Sequence, residues 1–324
     1  MKAILCTHFG AADELELAEV ESPRAGPGEA VVRVEAAALN FFDTLIIAGK
    51  YQNKPPFPFS PGAEFAGVIE SVGAGVTDVA PGDRVMGYSG WGAARQIVAV
   101  AAERLVKIPD RLSFERAAGL TVTYGTTLYA LRERAALKRG ESLVVLGASG
   151  GTGLATIEIG RIMGARVIAC ASSDEKLAFA RDHGTDETVN YGREDLRNAL
   201  RRLGGDNGID VVYDPVGGPY AEPALRSLGW LGRYLVVGFA AGEIPKIPLN
   251  LVLLKSCDIR GVSWGAWTRR APKVQRQLMA DIVRWCAEGK LSAHVHAVYP
   301  LAEIASALAV IAERKVMGKI VLRP

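Results

Sequence analysis

The chain has 324 residues, of which 49% are hydrophobic and 23% are charged, the composition of a globular protein with apolar material for more than one core. Basic residues exceed acidic ones by only three and are scattered, which argues against a nucleic-acid partner. No uncharged apolar run approaches membrane-spanning length and no signal-peptide core opens the chain, so we expect a soluble protein that does not bind membranes.

The predicted elements change character near residue 118. Before it, short runs that alternate apolar and polar residues are broken by Pro-Gly turns at 27–28, 61–62 and 81–82, a pattern typical of an irregular β-rich domain. After it, the pattern predicts four apolar strands, at 142–147, 166–171, 210–213 and 233–238. Three helices are predicted between them, at 152–163, 174–183 and 194–203. This alternation predicts right-handed βαβ units around a parallel sheet.

The alternation lapses beyond residue 260. Helices are predicted at 271–288 and 301–313, followed by a last strand at 318–323. We interpret this tail as returning to the first domain, since no internal repeat and no Pro/Ser-rich linker separates the parts.

A glycine-rich loop joins the strand at 142–147 to the helix after it. The segment 144–153 reads VVLGASGGTG, in which Gly150 and Gly153 match the second and third glycines of a dinucleotide-binding fingerprint and Ala148 stands at the first. Small residues let the backbone approach a pyrophosphate, and the helix N-terminus attracts the anion. A tight strand-to-helix turn without a ligand is the alternative, but the surrounding strands favour cofactor binding.

The end of the next strand bears on the choice of cofactor. NAD-specific sites usually place an acid there to bind the ribose hydroxyls, whereas this chain has Ser172 and Ser173, with Lys176 one turn later. Two hydroxyls and an ammonium suit the 2′-phosphate of NADPH. Asp174 and Glu175 are also candidates for a ribose-binding acid, although acids in a first turn often simply complement a helix N-terminus. We predict NADPH rather than NADH.

Six motifs occur in order along nearly the whole chain. They are NFFDT at 40–44, GKY at 49–51, PGAEFAG at 61–67, PGDRV at 81–85, ASGGTG at 148–153 and GKIVL at 318–322. Together they resemble the medium-chain dehydrogenase/reductase superfamily and, within it, the zinc-free NADPH:quinone oxidoreductases. The resemblance implies an α/β fold with two domains and the active cleft between them. A GroES-like β-rich catalytic domain, residues 1–121 and 261–324, would embrace a Rossmann domain with a doubly wound parallel sheet, residues 122–260.

Metal ligands of the zinc-dependent branch are missing. By the resemblance, Asn40 stands where zinc alcohol dehydrogenases have Cys and Ala63 where they have His, while Glu64 survives but alone cannot bind a metal tightly. His294 and His296 share a face of a predicted strand, with no third ligand evident. We therefore expect no metal. The four cysteines stand far apart and are interpreted as reduced thiols of a cytoplasmic protein.

Three residues are candidates for catalysis. Hydride transfer makes negative charge grow on the acceptor's carbonyl oxygen, and that charge needs a stabilising donor. Tyr51 resembles the tyrosine of related enoyl reductases that donates to an enolate, and Asn40 resembles a family residue that contacts the nicotinamide or the carbonyl. Asp43 could orient Asn40 or a water. Each has a structural alternative: a loop aromatic for Tyr51, a turn cap for Asn40, and a turn or N-cap role for Asp43.

The resemblance implies further cofactor contacts. Thr126 matches a threonine beside the nicotinamide, Tyr191 would flank the adenine, and Gly238 and Phe239 lie in a segment resembling one that follows the nicotinamide. The predicted cofactor-binding set is Asn40, Thr126, Ser149, Gly150, Gly151, Thr152, Ser172, Ser173, Lys176, Tyr191, Val216, Gly238, Phe239 and Lys319.

The leading functional prediction is a zinc-independent, NADPH-dependent reductase that transfers a hydride to small quinones or α,β-unsaturated carbonyls. One alternative is an enoyl-thioester reductase in which Arg269, Arg270 and Lys273 bind a pantetheine phosphate. Another is an NADPH-binding module with little turnover. By the resemblance we also expect a homodimer joined through the edge strands of its Rossmann sheets.

Overall fold

All 324 residues are described in a computed structural model of the chain, and their contacts divide it into two compact units. Unit 1 comprises Met1–Thr123 and Ala271–Pro324, and unit 2 comprises Tyr124–Arg270. The sequence places the return to the first domain earlier, after residue 260.

The helices and strands follow one another in three groups. The first group is β1 (Lys2–Leu5), β2 (Glu16–Glu19), β3 (Glu29–Leu39), α1 (Phe41–Ile47), β4 (Glu64–Val72), β5 (Arg84–Tyr88), β6 (Ile97–Ala101), β7 (Leu105–Lys107), α2 (Phe114–Ala118) and α3 (Thr121–Leu128). The second is β8 (Ser142–Leu146), α4 (Gly151–Met163), β9 (Arg166–Ala171), α5 (Asp174–Asp182), β10 (Glu187–Asn190), α6 (Leu196–Gly204), β11 (Ile209–Asp214), α7 (Ala221–Ser227), β12 (Leu228–Val236), α8 (Asn250–Lys255), β13 (Asp258–Gly261) and α9 (Trp264–Arg270). The third is α10 (Pro272–Ala287), β14 (Val295–Pro300), α11 (Ile304–Ala312) and β15 (Lys319–Arg323).

Unit 1 is organised around the long strand β3. One sheet has the order β14-β15-β3-β4-β5-β7, with β6 also paired to β3, and β1 pairs with β2 in a separate two-stranded sheet. Because β3 pairs antiparallel with both β15 and β4, the start of the last strand lies beside the end of β3, and so does the start of β4. The C-terminal tail therefore completes the sheet that the N-terminal residues begin.

Unit 2 contains a six-stranded sheet, in which every pairing is parallel and the order is β10-β9-β8-β11-β12-β13. All five residues of β8 are buried, as expected for a central strand covered on both faces. The chain reverses its direction of winding between β8 and β11, where doubly wound folds bind their ligands beyond the carboxyl ends of the strands. The β-rich unit and this sheet confirm the predicted fold class.

The later boundary of unit 2 has a packing reason in α9. Trp264 lies against Gly125 of α3, where an added Cβ would be 3.1 Å from the indole ring. Trp267 stacks on Tyr129 with ring centroids 4.4 Å apart. The two tryptophans thus join α9 to the helical start of unit 2, a pairing that no local pattern in the sequence indicates.

Further elements of unit 2, among them β10, α7, α8 and β13, escape the sequence prediction. Pro223 suggests a break, but it occupies the first turn of α7, where a helix leaves its backbone amides without internal partners and therefore tolerates proline. No helix of the chain combines the length and hydrophobicity needed to cross a bilayer.

Candidate functional site

The glycine-rich loop lies where β8 ends and α4 begins. Gly147 has a left-handed backbone with φ of 61°, and Gly150 is the N-cap of α4, its carbonyl accepting from the Leu154 amide at 2.8 Å. A Cβ on Gly153 would lie 2.7 Å from the Ala148 Cα and would also meet the Gly147 carbonyl oxygen, so only glycine allows this close packing of helix on strand. A Cβ on Gly150 would instead make an ordinary contact, 3.6 Å from the Gly147 carbonyl oxygen.

This loop fits a pyrophosphate. The amides of Gly151, Thr152 and Gly153 open α4 and have no carbonyl four residues earlier within the helix. The helix continues for 13 residues, so its dipole adds to the attraction of an anion at its N-terminus. Ser149 is buried in the turn just before Gly150.

The end of β9 presents hydroxyl and ammonium groups. The Ser173 Oγ accepts from the Lys176 amide at 3.4 Å and so caps α5, while the Lys176 Nζ lies 3.4 Å from the Ser172 Oγ. Asp174 is engaged elsewhere: its carboxylate accepts from the Asn190 Nδ2 at 2.6 Å and forms an ion pair with Arg193. Asp174, one of the two acids that the sequence offers for a ribose, is thus held by two donors, one of them the Arg193 guanidinium.

A pair of aromatic rings lies beside that corner. Tyr191 follows β10 and packs on Tyr220, with ring centroids 4.3 Å apart and an interplanar angle of 42°. The backbone of Gly192 passes so close to Ser172 that an added Cβ would lie 2.6 Å from the Ser172 carbonyl oxygen. The residue after Tyr191 in the chain therefore lies against the backbone of Ser172.

The carboxyl ends of β11 and β12 meet next to the glycine-rich loop. The Asp214 carboxylate accepts from the amides of Val216 and Gly217 at 2.7 and 2.8 Å and from the Tyr234 hydroxyl, and burial raises its pKa. These bonds place Val216 against Gly147, where an added Cβ would be 2.8 Å from the valine side chain. The predicted segment of Gly238 and Phe239 runs alongside, and the ring of Phe239 is partly exposed. Thr126 is buried in α3.

A buried polar network occupies unit 1 where β3, β4 and β15 meet. The Lys319 ammonium donates to the Glu64 Oε1 at 2.8 Å, to the Asn40 Oδ1 at 2.7 Å and to the Leu39 carbonyl at 2.9 Å. The Asn40 Nδ2 donates to the same Glu64 oxygen at 2.9 Å, and the Glu64 Oε2 accepts from the Val122 amide at 2.7 Å. All three ammonium hydrogens are thus directed to groups of unit 1, and contact of Lys319 with a cofactor stays a prediction.

Asp43 lies next to this network and is completely buried. One carboxylate oxygen accepts from the backbone amide of Asn40 at 2.7 Å and the other from the backbone amide of Gly62 at 3.1 Å. Burial raises the pKa of Asp43 to about 7, against the lowering effect of those amides and of the nearby Lys319 ammonium. The geometry supports the alternative of a structural residue in the first turn of α1, and catalysis by Asp43 stays a prediction.

Tyr51 follows α1 in a loop and is half-buried. Its ring stacks on Phe42 of α1 with centroids 5.5 Å apart. Burial raises the pKa of the Tyr51 phenol, and the charge of nearby Asp43 raises it further. The phenol is therefore neutral at physiological pH and able to donate a proton or a hydrogen bond.

No group of three or more His, Cys, Asp or Glu side chains is arranged to hold a metal ion. The Glu64 carboxylate faces the Lys319 ammonium, so its charge is balanced by a residue of the chain itself. Asn40 and Ala63 occupy the two positions where, by the sequence resemblance, zinc alcohol dehydrogenases have Cys and His ligands.

Sequence reasoning missed three contributors to these sites. Arg193 does not stand out in the sequence because basic residues are scattered along the chain. Tyr220 does not stand out because it lies in a short turn before α7. The Lys319 link to Glu64 joins residues 255 positions apart, which no local pattern reports. The one indication in the sequence was that Lys319, a charged residue, begins an apolar strand and therefore needs a partner if it is buried.

Two family models match the chain, the alcohol dehydrogenase GroES-like domain over residues 26–110 and the zinc-binding dehydrogenase over residues 151–281. The chain is 38% identical over 322 residues to quinone oxidoreductase-like protein 2 of Rattus norvegicus, covering 99% of this chain and 91% of the relative. It is 33% identical over 326 residues to the quinone oxidoreductase of Pseudomonas aeruginosa, covering 100% and 99%. The solved structure of Escherichia coli quinone oxidoreductase complexed with NADPH matches with a TM-score of 0.94 at 27% identity, over 100% of both chains. The chain therefore belongs to the quinone oxidoreductase family of the medium-chain dehydrogenase/reductase superfamily.

Proposed function

We propose that this oxidoreductase uses NADPH to reduce small quinones or α,β-unsaturated carbonyls by hydride transfer, without a metal. The observation that carries the cofactor choice is the state of Asp174, whose carboxylate is bound by Asn190 and Arg193. With the acid so engaged, Ser172 and Lys176 offer a hydroxyl and an ammonium to a 2′-phosphate. The Escherichia coli relative complexed with NADPH supports the same choice.

The predicted cofactor residues have distinct tasks in this proposal. The loop from Ser149 to Thr152 and the N-terminus of α4 bind the pyrophosphate. Tyr191, supported by Tyr220, flanks the adenine, and the segment of Val216, Gly238 and Phe239, with Thr126, borders the nicotinamide. Bound NADPH supplies the hydride. Everything else that the reaction needs comes from side chains and backbone of the chain.

Negative charge grows on the acceptor oxygen as the hydride arrives, and we assign its stabilisation to Asn40 and Tyr51. Asn40 donates a hydrogen bond, and the neutral Tyr51 phenol donates a hydrogen bond or the proton that completes reduction. Asp43 supports both residues, since its carboxylate accepts from the backbone amide of Asn40 and its charge raises the pKa of Tyr51. Replacing Tyr51 with Phe keeps the stacking on Phe42 and removes the donor, so kcat should fall on the order of a hundredfold, the usual contribution of one general acid.

Metal independence rests on the chemistry of Glu64. Its two oxygens accept from Lys319, Asn40 and Val122, so the carboxylate has neither the free charge nor the neighbouring ligands that a zinc site needs. We propose that hydrogen-bond donors perform the charge stabilisation that a Lewis acid performs elsewhere.

The test is the rate of NADPH oxidation by purified, chelator-treated protein with three acceptors, an ortho-quinone, a small enone and an enoyl-thioester, repeated with NADH. Turnover of the quinone or the enone with NADPH preferred supports the proposal. Turnover of the thioester alone would favour an enoyl-thioester reductase. Firm NADPH binding with no turnover of any acceptor would favour a binding module, and activity lost to the chelator would refute metal independence.

We further propose a cytoplasmic homodimer. Strand β13 ends the sheet of unit 2, so one side of its backbone lacks a partner strand. Four large apolar residues of the neighbouring elements are each at least 70% exposed, namely Trp230 in β12, which pairs with β13, and Leu249, Leu253 and Leu254 at α8, which precedes it in the chain. Pairing of β13 with its copy would cover both features with one two-fold interface. All four cysteines are free and buried, in keeping with a reducing compartment.

A further inference from the structure

The Asn40 amide has its orientation dictated by its neighbours. The oxygen and nitrogen of an amide side chain are distinguished only by their partners. An ammonium can only donate, so the Asn40 atom 2.7 Å from the Lys319 Nζ is the oxygen. A carboxylate beside that ammonium can only accept, so the atom 2.9 Å from the Glu64 Oε1 is the nitrogen. Both neighbours select the same orientation.

The amide then has one unused hydrogen-bonding group. Its oxygen is taken by Lys319, and one of its two N–H bonds is taken by Glu64. The second N–H has no hydrogen-bond acceptor within the protein, and residue Asn40 is only 8% exposed. Such a buried, unused donor is costly unless a bound molecule or water satisfies it.

The groups that orient Asn40 are themselves fixed. Lys319 is 5% exposed and Glu64 is fully buried, and the third ammonium hydrogen goes to the Leu39 carbonyl. The second Glu64 oxygen accepts from the Val122 amide. Every other donor and acceptor of these three side chains has a partner in the protein, so the network holds the Asn40 amide in one orientation and leaves one of its N–H groups for another acceptor.

We propose that Lys319 and Glu64 are positioning residues that lock Asn40 as a hydrogen-bond donor to the carbonyl oxygen of the electron acceptor. The inference rests on the proposed function and adds to it the reason why Asn40 can stabilise negative charge. With the amide reversed, its oxygen would face the growing negative charge and repel it. Loss of the lock should therefore lower kcat roughly tenfold, the value of one hydrogen bond of about 1.4 kcal/mol, with little change in the KM for NADPH.

The experiment compares four variants with 9,10-phenanthrenequinone as acceptor. Lys319→Met removes the ammonium that donates to the Asn40 oxygen but leaves the charge of Glu64 buried without a partner, which destabilises the fold. The double variant Glu64→Gln/Lys319→Met removes both charges and is expected to recover stability while kcat stays low. Lys319→Arg keeps a cation that donates and should retain more activity than either. Asn40→Asp keeps the shape of the amide and abolishes its donor.

A second readout follows the orientation without turnover. In protein labelled with 15N-asparagine, the Asn40 side-chain amide, identified by its absence in Asn40→Asp, should exchange slowly with solvent and show two widely separated proton signals. In the double variant the exchange should accelerate and the signals should move together. Recovery of kcat along with stability in the double variant, or an unchanged Asn40 signal, would overturn the proposal. A wild-type protein that fails to oxidise NADPH with any acceptor would instead refute the proposed function, whereas the Asn40 amide signal tests the fixed orientation of the side chain independently of turnover.

Discussion

Replacing Gly153 with Ala tests whether the packing of α4 on β8 requires glycine at this position. The added Cβ would lie 2.7 Å from two backbone atoms of Ala148 and would also meet the Gly147 carbonyl oxygen, and backbone atoms cannot rotate away. Such overpacking costs about 3 kcal/mol. The better helix propensity of Ala returns about 1 kcal/mol. A net loss of about 2 kcal/mol should lower the melting temperature by roughly 4–8 °C.

Gly150→Ala is the matched control, because its Cβ would make only an ordinary contact at 3.6 Å. Loss of glycine from the N-cap should cost about 0.5 kcal/mol, so thermal unfolding should separate the two variants clearly. Fluorescence titration with NADPH should rank the two variants in the opposite order. Relative to the stability that each variant loses, Gly150→Ala should lose more NADPH affinity than Gly153→Ala, because the Gly150 methyl occupies space that the pyrophosphate needs. Equal melting temperatures for both variants would refute the packing argument for Gly153.

Three further outcomes are expected. Burial raises the pKa of Asp43 from 3.8 to about 7, so its contribution to stability is full below the unfolded pKa and is lost as pH rises through the folded one. Chemical denaturation from about pH 4 to about pH 7 should show wild type losing up to about 1.4 kcal/mol per pH unit relative to Asp43→Asn, and parallel profiles would contradict this. Arg193→Ala should weaken NADPH binding and strengthen NADH binding by freeing Asp174, whereas Arg197→Ala, an exposed arginine of α6, should change neither affinity. Leu253→Glu should make the protein sediment as a monomer at concentrations where wild type is a dimer.

The parts of the site that could be predicted are those governed by local rules. A buried run such as β8, followed by small residues and a helix, has few structural solutions. The sequence therefore correctly placed Gly150 and Gly153 at the start of a helix, and Ser172 and Ser173 just after a strand. The fold class followed from the same alternation of strands and helices.

The remaining parts depend on pairings between distant segments. Glu64 and Lys319 meet because β3 pairs with β4 through Ala38 and with β15 through Leu39, so three strand ends converge on one point. Sequence reasoning therefore valued Glu64 only as a remnant of a metal pattern. Likewise, the sequence alone left Asp174 and Glu175 as possible ribose-binding acids, and only the position of Asn190 and Arg193 in the fold shows that the Asp174 carboxylate is engaged.

The proposed reaction is tested most directly by a single turnover of NADPH in protein stripped of metal ions. NADPH deuterated at one or the other C4 position is mixed with the protein and excess 9,10-phenanthrenequinone, and the loss of reduced nicotinamide is followed in time. We expect full turnover at a rate unchanged by stripping or by added zinc, with a primary isotope effect from only one of the two deuterated forms. A rate that disappears on stripping and returns with zinc, or no isotope effect from either form, would contradict metal-free hydride transfer by this chain.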